Sequence, residues 1–324
     1  MSKYIGVDLG GTNLKAAVVD TRSGELTAFQ KIPTFAQHGH DAVMVRMAEL
    51  VESVIEASDY SKAEISGIGI GVPGVVDLEK GLVLFLPNLP GTWPDVPLKK
   101  MIEGQVGLPT FLLNDVRSMT LGEWTFGAGR GVDTIACFAI GTGIGGGVVV
   151  NGQLHLGIGG TAGELGHQVI DINGPQCGCG NRGCLETFAS GAAITAMGLK
   201  AVAQGLSTRI GELADYDLNR ITPAVIYQAA REGDDIANEI YELAGFYIGI
   251  AVGNAIAVVC PRKVVIGGGV AQAGDLLLEA IRKTVRFRHS KLTKVDQVEI
   301  VPAELGPNAG LIGAAMWARN CTTV

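Results

Sequence analysis

Charge is scarce in this 324-residue chain: 18% of its residues are Asp, Glu, Lys or Arg, against 47% apolar. The 25 basic residues are outnumbered by 32 acidic ones, for a net charge of −7, and no basic cluster stands out. A surface that tracks nucleic-acid phosphates is therefore not expected. The N-terminus, MSKYIGVDLGG, lacks both a long apolar h-region and a small-residue cleavage site, so no secretory leader is read there. A three-residue glycine period is also missing, which excludes a collagen-like chain, and abundant Val, Ile and Leu exclude general disorder.

What the chain has in excess is glycine, 47 residues, about twice the usual ~7%. At roughly 150 residues per domain the length suggests two domains. Two stretches test for a membrane. Residues 134–163 carry no Asp, Glu, Lys or Arg, but ten of the thirty are glycine, and Asn151, Gln153 and His155 interrupt them. Residues 243–261 are nineteen uncharged residues with Gly245, Gly249 and Gly253 at four-residue spacing, which suits a close-packed membrane face or a buried helix. Asn254 and Pro261 favour the buried helix. The expectation is a soluble, cytoplasmic protein with no membrane partner.

Alternation predicts strands at Lys3–Val7, Leu14–Asp20 and Glu25–Ile32, with a glycine turn at Asp8–Asn13. Helical spacing follows at Asp41–Ala57, then strands at Ile65–Val72 and Thr110–Leu113. The strand, glycine turn, strand pattern of residues 3–20 returns at 134–150, with Ile135–Ile140, Gly141–Gly147 and Val148–Val150. A duplicated α/β unit is expected, with a ligand cleft between the copies and a hinge near 115–120. A long helix, Asp235–Val259, a strand, Lys263–Ile266, and a final helix, Ala309–Ala318, complete the pattern. The tail Arg319–Val324 is expected to fray.

Three glycine runs bring backbone N–H groups within reach of an anion. In the first, Gly10 and Gly11 are followed by Thr12 and Asn13, whose side chains add hydrogen bonds. Asp8 would repel a phosphate directly, so its sensible role is to hold a hydrated Mg²⁺; the alternative is a tight hairpin with a structural Asp. The second run, with Thr142, Gly143 and Gly145, is not a Walker A loop, since no Gly-Lys-Ser/Thr follows. Strand-forming Val148–Val150 also argues against a Rossmann fingerprint and a nicotinamide-dependent oxidoreductase. The third run, around Gly268, would let an adenosine pack against backbone.

Six cysteines are present, and Cys177, Cys179 and Cys184 fall within eight residues, with His167 ten positions before the first. Three thiolates and an imidazole make a closed tetrahedral set for structural Zn²⁺; disulfides are the alternative, which a cytoplasmic chain disfavours. Cys137 and Cys260 are expected in the core and Cys321 in the tail. Asp115, at the end of a strand after Asn114, could take a proton from a hydroxyl or could simply cap a helix, and position alone favours the cap. Glu164 and Glu186 bracket the cysteine segment, as acceptors for a polyol or as surface charge.

Taken together, DLGGTN at 8–13, GVPGVVD at 71–77, Asn114-Asp115, GTGIGGG at 141–147, GELGH at 163–167 and CGCGNRGCLE at 177–186 resemble the ROK family, and within it the bacterial glucokinase-like sugar kinases. The resemblance runs essentially end to end. It implies two actin-like, ribonuclease-H-like α/β domains, one of residues 1–115 plus a C-terminal helix about 305–324, the other of residues 116–304 with the zinc knuckle. It implies ATP, Mg²⁺ and a hexose, glucose first, with Asp115 as the general base that deprotonates the 6-hydroxyl. Asn114, Glu164, His167 and Glu186 match sugar-binding positions, His167 serving zinc with its other ring nitrogen. Mannose or N-acetylmannosamine is the alternative sugar, and polyphosphate an alternative donor.

The resemblance also implies a homodimer or homotetramer. A sugar-binding repressor belongs to the same family but carries an N-terminal helix-turn-helix, for which a first strand at Lys3 leaves no room. Where many members continue Asn-Asp with Ala-Asn, this chain has Val116-Arg117-Ser118. Arg117 is expected to face solvent or cap a helix; pointed inward, it would depress the Asp115 pKa.

Overall fold

The structure is a computed structural model that describes residues 2–86, 89–91, 93–288 and 293–322. Its contacts divide the chain into two compact units, Met1–Gly131 with Gln153–Gly163 and Glu304–Val324, and Val132–Gly152 with Glu164–Ala303.

The first unit contains β1 (Lys3–Leu9), β2 (Asn13–Asp20), β3 (Leu26–Pro33), α1 (His40–Glu56), β4 (Ile65–Val72), β5 (Val75–Asp77), β6 (Leu82–Phe85), α2 (Leu98–Val106), β7 (Thr110–Asn114) and α3 (Asp115–Phe126). Its main sheet runs β3-β2-β1-β4-β7. Further along the chain come β8 (Ile135–Ile140), β9 (Ile144–Val150), β10 (Gln153–Leu154), α4 (Glu186–Ala189), α5 (Gly191–Ala203), α6 (Ile210–Leu213), α7 (Pro223–Arg231), α8 (Asp235–Val259), β11 (Lys263–Gly267), α9 (Asp275–Phe287), β12 (Glu299–Pro302) and α10 (Ala309–Thr322). The second main sheet runs β10-β9-β8-β11-β12.

These two orders are the same order. In each sheet the first strand is antiparallel to the second (β1 with β2, β8 with β9) and parallel to the fourth (β4, β11), and the fourth is parallel to the last (β7, β12). The weak repeat between residues 3–20 and 134–150 thus extends through both sheets, and the arrangement is the ribonuclease-H-like one. The central strands read as continuous apolar runs because both of their faces are covered: in β4 every residue but Ser66 is buried.

The glycine turns are tighter than the sequence suggests. β1 continues through Leu9 and β2 starts at Asn13, while Gly145, Gly146 and Gly147 pair with Ala139, Phe138 and Cys137 in the β8–β9 ladder. The expected hinge at 115–120 lies inside α3, which packs against α10 in the first unit. The contacts therefore divide the chain near 131, not near 115. Two close approaches bring α10 onto its neighbours: a Cβ on Gly69 would overlap the Ala314 carbonyl, and one on Gly313 the Ser118 carbonyl. Glu123, fully buried on α3, completes the junction by accepting the backbone N–H groups of Ala128, Glu304 and Leu305 at 2.8–3.0 Å.

The tail does not fray as expected. α10 continues through Thr322, whose hydroxyl lies 2.6 Å from the Tyr4 hydroxyl, and Arg319 donates to the Thr21 carbonyl; Thr323 and Val324 lie outside the described residues. Among the described residues one helix, α8, is long and apolar enough to cross a membrane. Its glycines serve packing within the second unit: Gly245 and Gly249 lie against Ala280 and Thr284 of α9, and Ile240, Tyr241, Ile248 and Val252 are core. Cys137 is buried as expected. Cys260 is not: it ends α8 with a positive φ of 51° and is exposed.

Candidate active site

In the first unit the residue pair at the end of β7 divides its labour. Asn114 is the N-cap of α3, its Oδ1 accepting the N–H groups of Val116 at 3.0 Å and Arg117 at 3.1 Å, while its Nδ2 donates to the Gly74 carbonyl. The capping role expected for Asp115 therefore falls to its neighbour. Asp115 is left as the first helical residue, half-buried, with Oδ1 taking the Val116 N–H at 2.9 Å. Burial, and then the nearby Asp8 carboxylate, push the Asp115 carboxyl up to about 7, outweighing the Val116 N–H and the Arg117 guanidinium that pull it down.

Arg117 does not face solvent. It is 2% exposed, and its Nε donates to the Ala162 carbonyl at 2.8 Å. The sequence could not place it because its partner lies 45 residues further on.

The tip between β1 and β2 is a short turn closed by the Gly10 N–H on the Asn13 carbonyl, with Thr34 donating through its N–H to Thr12 and through its hydroxyl to Gly10. Gly11 and Thr12 are exposed. Asp8 pairs through Oδ2 with Lys15 Nζ at 2.8 Å. Lys15 belongs to no motif in the sequence, although its place in β2, two residues after Asn13 and on the same face, is a readable signal. Asp8's other oxygen, Oδ1, lies over Gly310, where no side chain intrudes. A carboxylate paired through one oxygen can still take a water of a hydrated Mg²⁺ on the other.

In the second unit the expected metal set assembles. The ligand atoms of His167, Cys177, Cys179 and Cys184 lie within 4.8 Å of one another. Cys179 and Cys184 sulfurs are 3.7 Å apart, and His167 Nδ1 is 3.7 Å from Cys177 Sγ. Two thiolates at ~2.3 Å from a tetrahedral zinc stand roughly 3.8 Å apart, so the donors fit that ion. The described cysteines are free in this structure, and the 3.7 Å between the Cys179 and Cys184 sulfurs is ligand spacing, well beyond an S–S bond. Burial pushes the Cys184 thiol up to about 12 and raises Cys177, while the Asn181 N–H holds Cys179 below its ordinary value.

Around this knuckle, Glu164 is exposed and begins the Leu165–His167 turn. Glu186, at the start of α4, accepts the Ile144 N–H at 2.9 Å. In the second glycine hairpin Thr142 is exposed, while Gly143 and Gly145 are half-buried. Gly268 has φ +89° and presses on the backbone of Ile140, so its glycine is required by strand packing. The structure brings Asp8, Gly10, Gly11, Thr12, Asn13, Asn114 and Asp115 together in the first unit. Thr142, Gly143, Gly145, Glu164, His167, Cys177, Cys179, Cys184, Glu186 and Gly268 fall in the second.

The family model described as "ROK family" matches residues 4–321. The glucokinase of Thermotoga maritima is 38% identical over 97% of this chain and 96% of its own length, and that of Halalkalibacterium halodurans 36% over 98% and 95%. A solved structure of a ROK family glucokinase from Streptomyces griseus, in complex with glucose and AMPPNP, superimposes with a TM-score of 0.85 at 34% identity, covering 98% of this chain and 99% of that one.

Proposed function

This chain belongs to the ROK family, and from that premise we propose that it is an ATP-dependent sugar kinase that phosphorylates a hexose, glucose first, at the 6-hydroxyl. Glucokinases matched over nearly their full length support the class of reaction. The observation that carries the mechanism is Asp115, a carboxylate released from capping by Asn114 and pushed up to about 7. Such a group is a far better base than an ordinary aspartate and is ionised in mildly alkaline solution.

In the proposed step the sugar O6 forms a bond to the γ-phosphorus as the bond to the β–γ bridging oxygen breaks. The O6 proton passes to Asp115, and ADP leaves. Asn114, Glu164, His167 and Glu186 would hold the other sugar hydroxyls, and the N–H groups of 10–13 and 141–147 the phosphates, with Gly268 beside the adenosine. Asp8 would hold hydrated Mg²⁺, which neutralises phosphate charge. His167, Cys177, Cys179 and Cys184 would hold a structural Zn²⁺, whose four protein ligands leave no position for an activated water. Catalysis is then positioning and charge neutralisation. A homodimer or homotetramer and a cytoplasmic location are proposed on the resemblance alone.

The test is ADP release with Mg-ATP across glucose, mannose, N-acetylmannosamine, fructose and allose, with the product's phosphate located by NMR. The expected result is turnover of glucose to its 6-phosphate. A folded, zinc-loaded protein that binds one of these sugars without turning over any of them would replace the kinase with a regulatory binding protein.

A further inference from the structure

The metal knuckle and the second glycine hairpin are joined by direct contacts that the reaction as described does not use. Glu186 follows the ligand Cys184 by two residues. Its Oε2 accepts the Ile144 N–H at 2.9 Å, at the hairpin's tip, and its Oε1 lies 3.9 Å from Cys177 Sγ. A side chain on Gly143 would collide with that carboxylate. On the other side, Gly166 immediately precedes the ligand His167, and a Cβ there would overlap the Ile144 carbonyl. The two flanks are themselves tied, Leu185 N–H donating to the Gln168 carbonyl at 2.9 Å beside a bridge between Val169 and Cys184. Ile144 is 3% exposed and shares a core with Leu185.

Ile144 is therefore held by its N–H from one metal-bearing segment and approached at its carbonyl by the other. We propose that the metal knuckle positions the nucleotide's phosphates, Glu186 and the Gly166-His167 turn clamping the hairpin so that filling the Cys₃His site fixes where residues 141–147 present their N–H groups. Glu186 is in this account a positioning residue for the nucleotide, apart from any contact with sugar. The inference rests on reading 141–147 as a phosphate-binding hairpin. It adds a nucleotide-side task to the metal beside the sugar-side one that His167 carries, because the clamp touches the hairpin whether or not a sugar is bound.

The experiment uses the full chain and two sugar-free readouts: amide hydrogen exchange over residues 141–147, with no nucleotide present, and ADP affinity by calorimetry. Chelating zinc is expected to accelerate exchange at Ile144, and Glu186→Ala with zinc retained to do the same, each about tenfold, the loss of one hydrogen bond. ADP affinity should fall by a similar factor. Glu186→Gln, which keeps a carbonyl acceptor, should restore most of both. Protection across α8 serves as the folding control, and where the metal-free chain unfolds, Glu186→Ala carries the comparison. Unchanged exchange at Ile144 in zinc-loaded, folded Glu186→Ala overturns the proposal. Faster exchange with unaltered ADP affinity overturns the assignment of this hairpin to phosphates, and with it the proposal.

Discussion

The side chain of Asn114 accepts the backbone N–H of Arg117 at 3.1 Å, and that bond decides which of two adjacent polar residues caps α3. With the cap supplied by Asn114, the carboxylate of Asp115 keeps most of its capacity for another partner. A helix start that would ordinarily consume an aspartate instead presents one.

The first prediction concerns pH. As the proposed base, Asp115 would act only when ionised, so kcat/KM should rise with pH and level off above about 7. The Asp8 carboxylate raises this pKa, and Asp8→Asn should move the acid limb to lower pH whatever it does to the maximal rate. Arg117 lowers it, so Arg117→Met should move the limb to higher pH. Limbs at the same pH in all three proteins would dissociate the limb from Asp115.

Stability should carry the same signature. Because the folded state raises the Asp115 pKa from its ordinary 3.8 to about 7, the folded chain holds that proton more tightly than the unfolded one. The associated stabilisation is present below about pH 4 and is lost as pH rises to about 7. Asp115→Asn removes this slope, so its Tm relative to wild type should be higher at pH 8 than at pH 4. Thermal unfolding at the two pH values is the check.

Glu123 should behave as a staple. Its buried carboxylate serves three backbone N–H groups, two of them at residues 304 and 305. Glu123→Ala leaves those donors unpaired and should cost about 3 kcal/mol in denaturant unfolding, with Glu123→Gln retaining part of it. A loss under ~1 kcal/mol for the alanine variant would mean the donors find other partners.

Zinc content should depend on all four ligands and on acidity. Cys184→Ser is expected to reduce bound zinc from one per chain to a small fraction, measured by atomic emission on purified protein. Since the Cys177 and Cys184 thiols are raised by burial, loading must displace their protons, and affinity should weaken steadily as pH falls from 8 to 6.

Much of this architecture is legible in the sequence where its cause is local. Strand alternation, the presence of two glycine hairpins and the helical spacing of 235–259 are borne out, because each depends on neighbours a few residues away. The knuckle is legible for the same reason: three cysteines within eight residues need only one distant histidine. What escapes is set by long-range packing. Gly145–Gly147 look like a turn but are strand, because the β8 ladder supplies their partners. Arg117 looks like a surface cation but is enclosed beside Ala162, and Cys260 looks like core but ends a helix in the open. α3 looks like a boundary, yet α10, nearly 200 residues later, holds it in the first unit.

The central claim is that Asp115 takes the proton from the sugar hydroxyl, and the most direct measurement compares glucose-dependent ADP formation by wild type and Asp115→Asn at pH 8, both zinc-loaded. The account predicts a fall in kcat of at least ~100-fold, with KM for glucose and ADP affinity little changed. An asparagine variant that turns over glucose within a few-fold of wild type would contradict it.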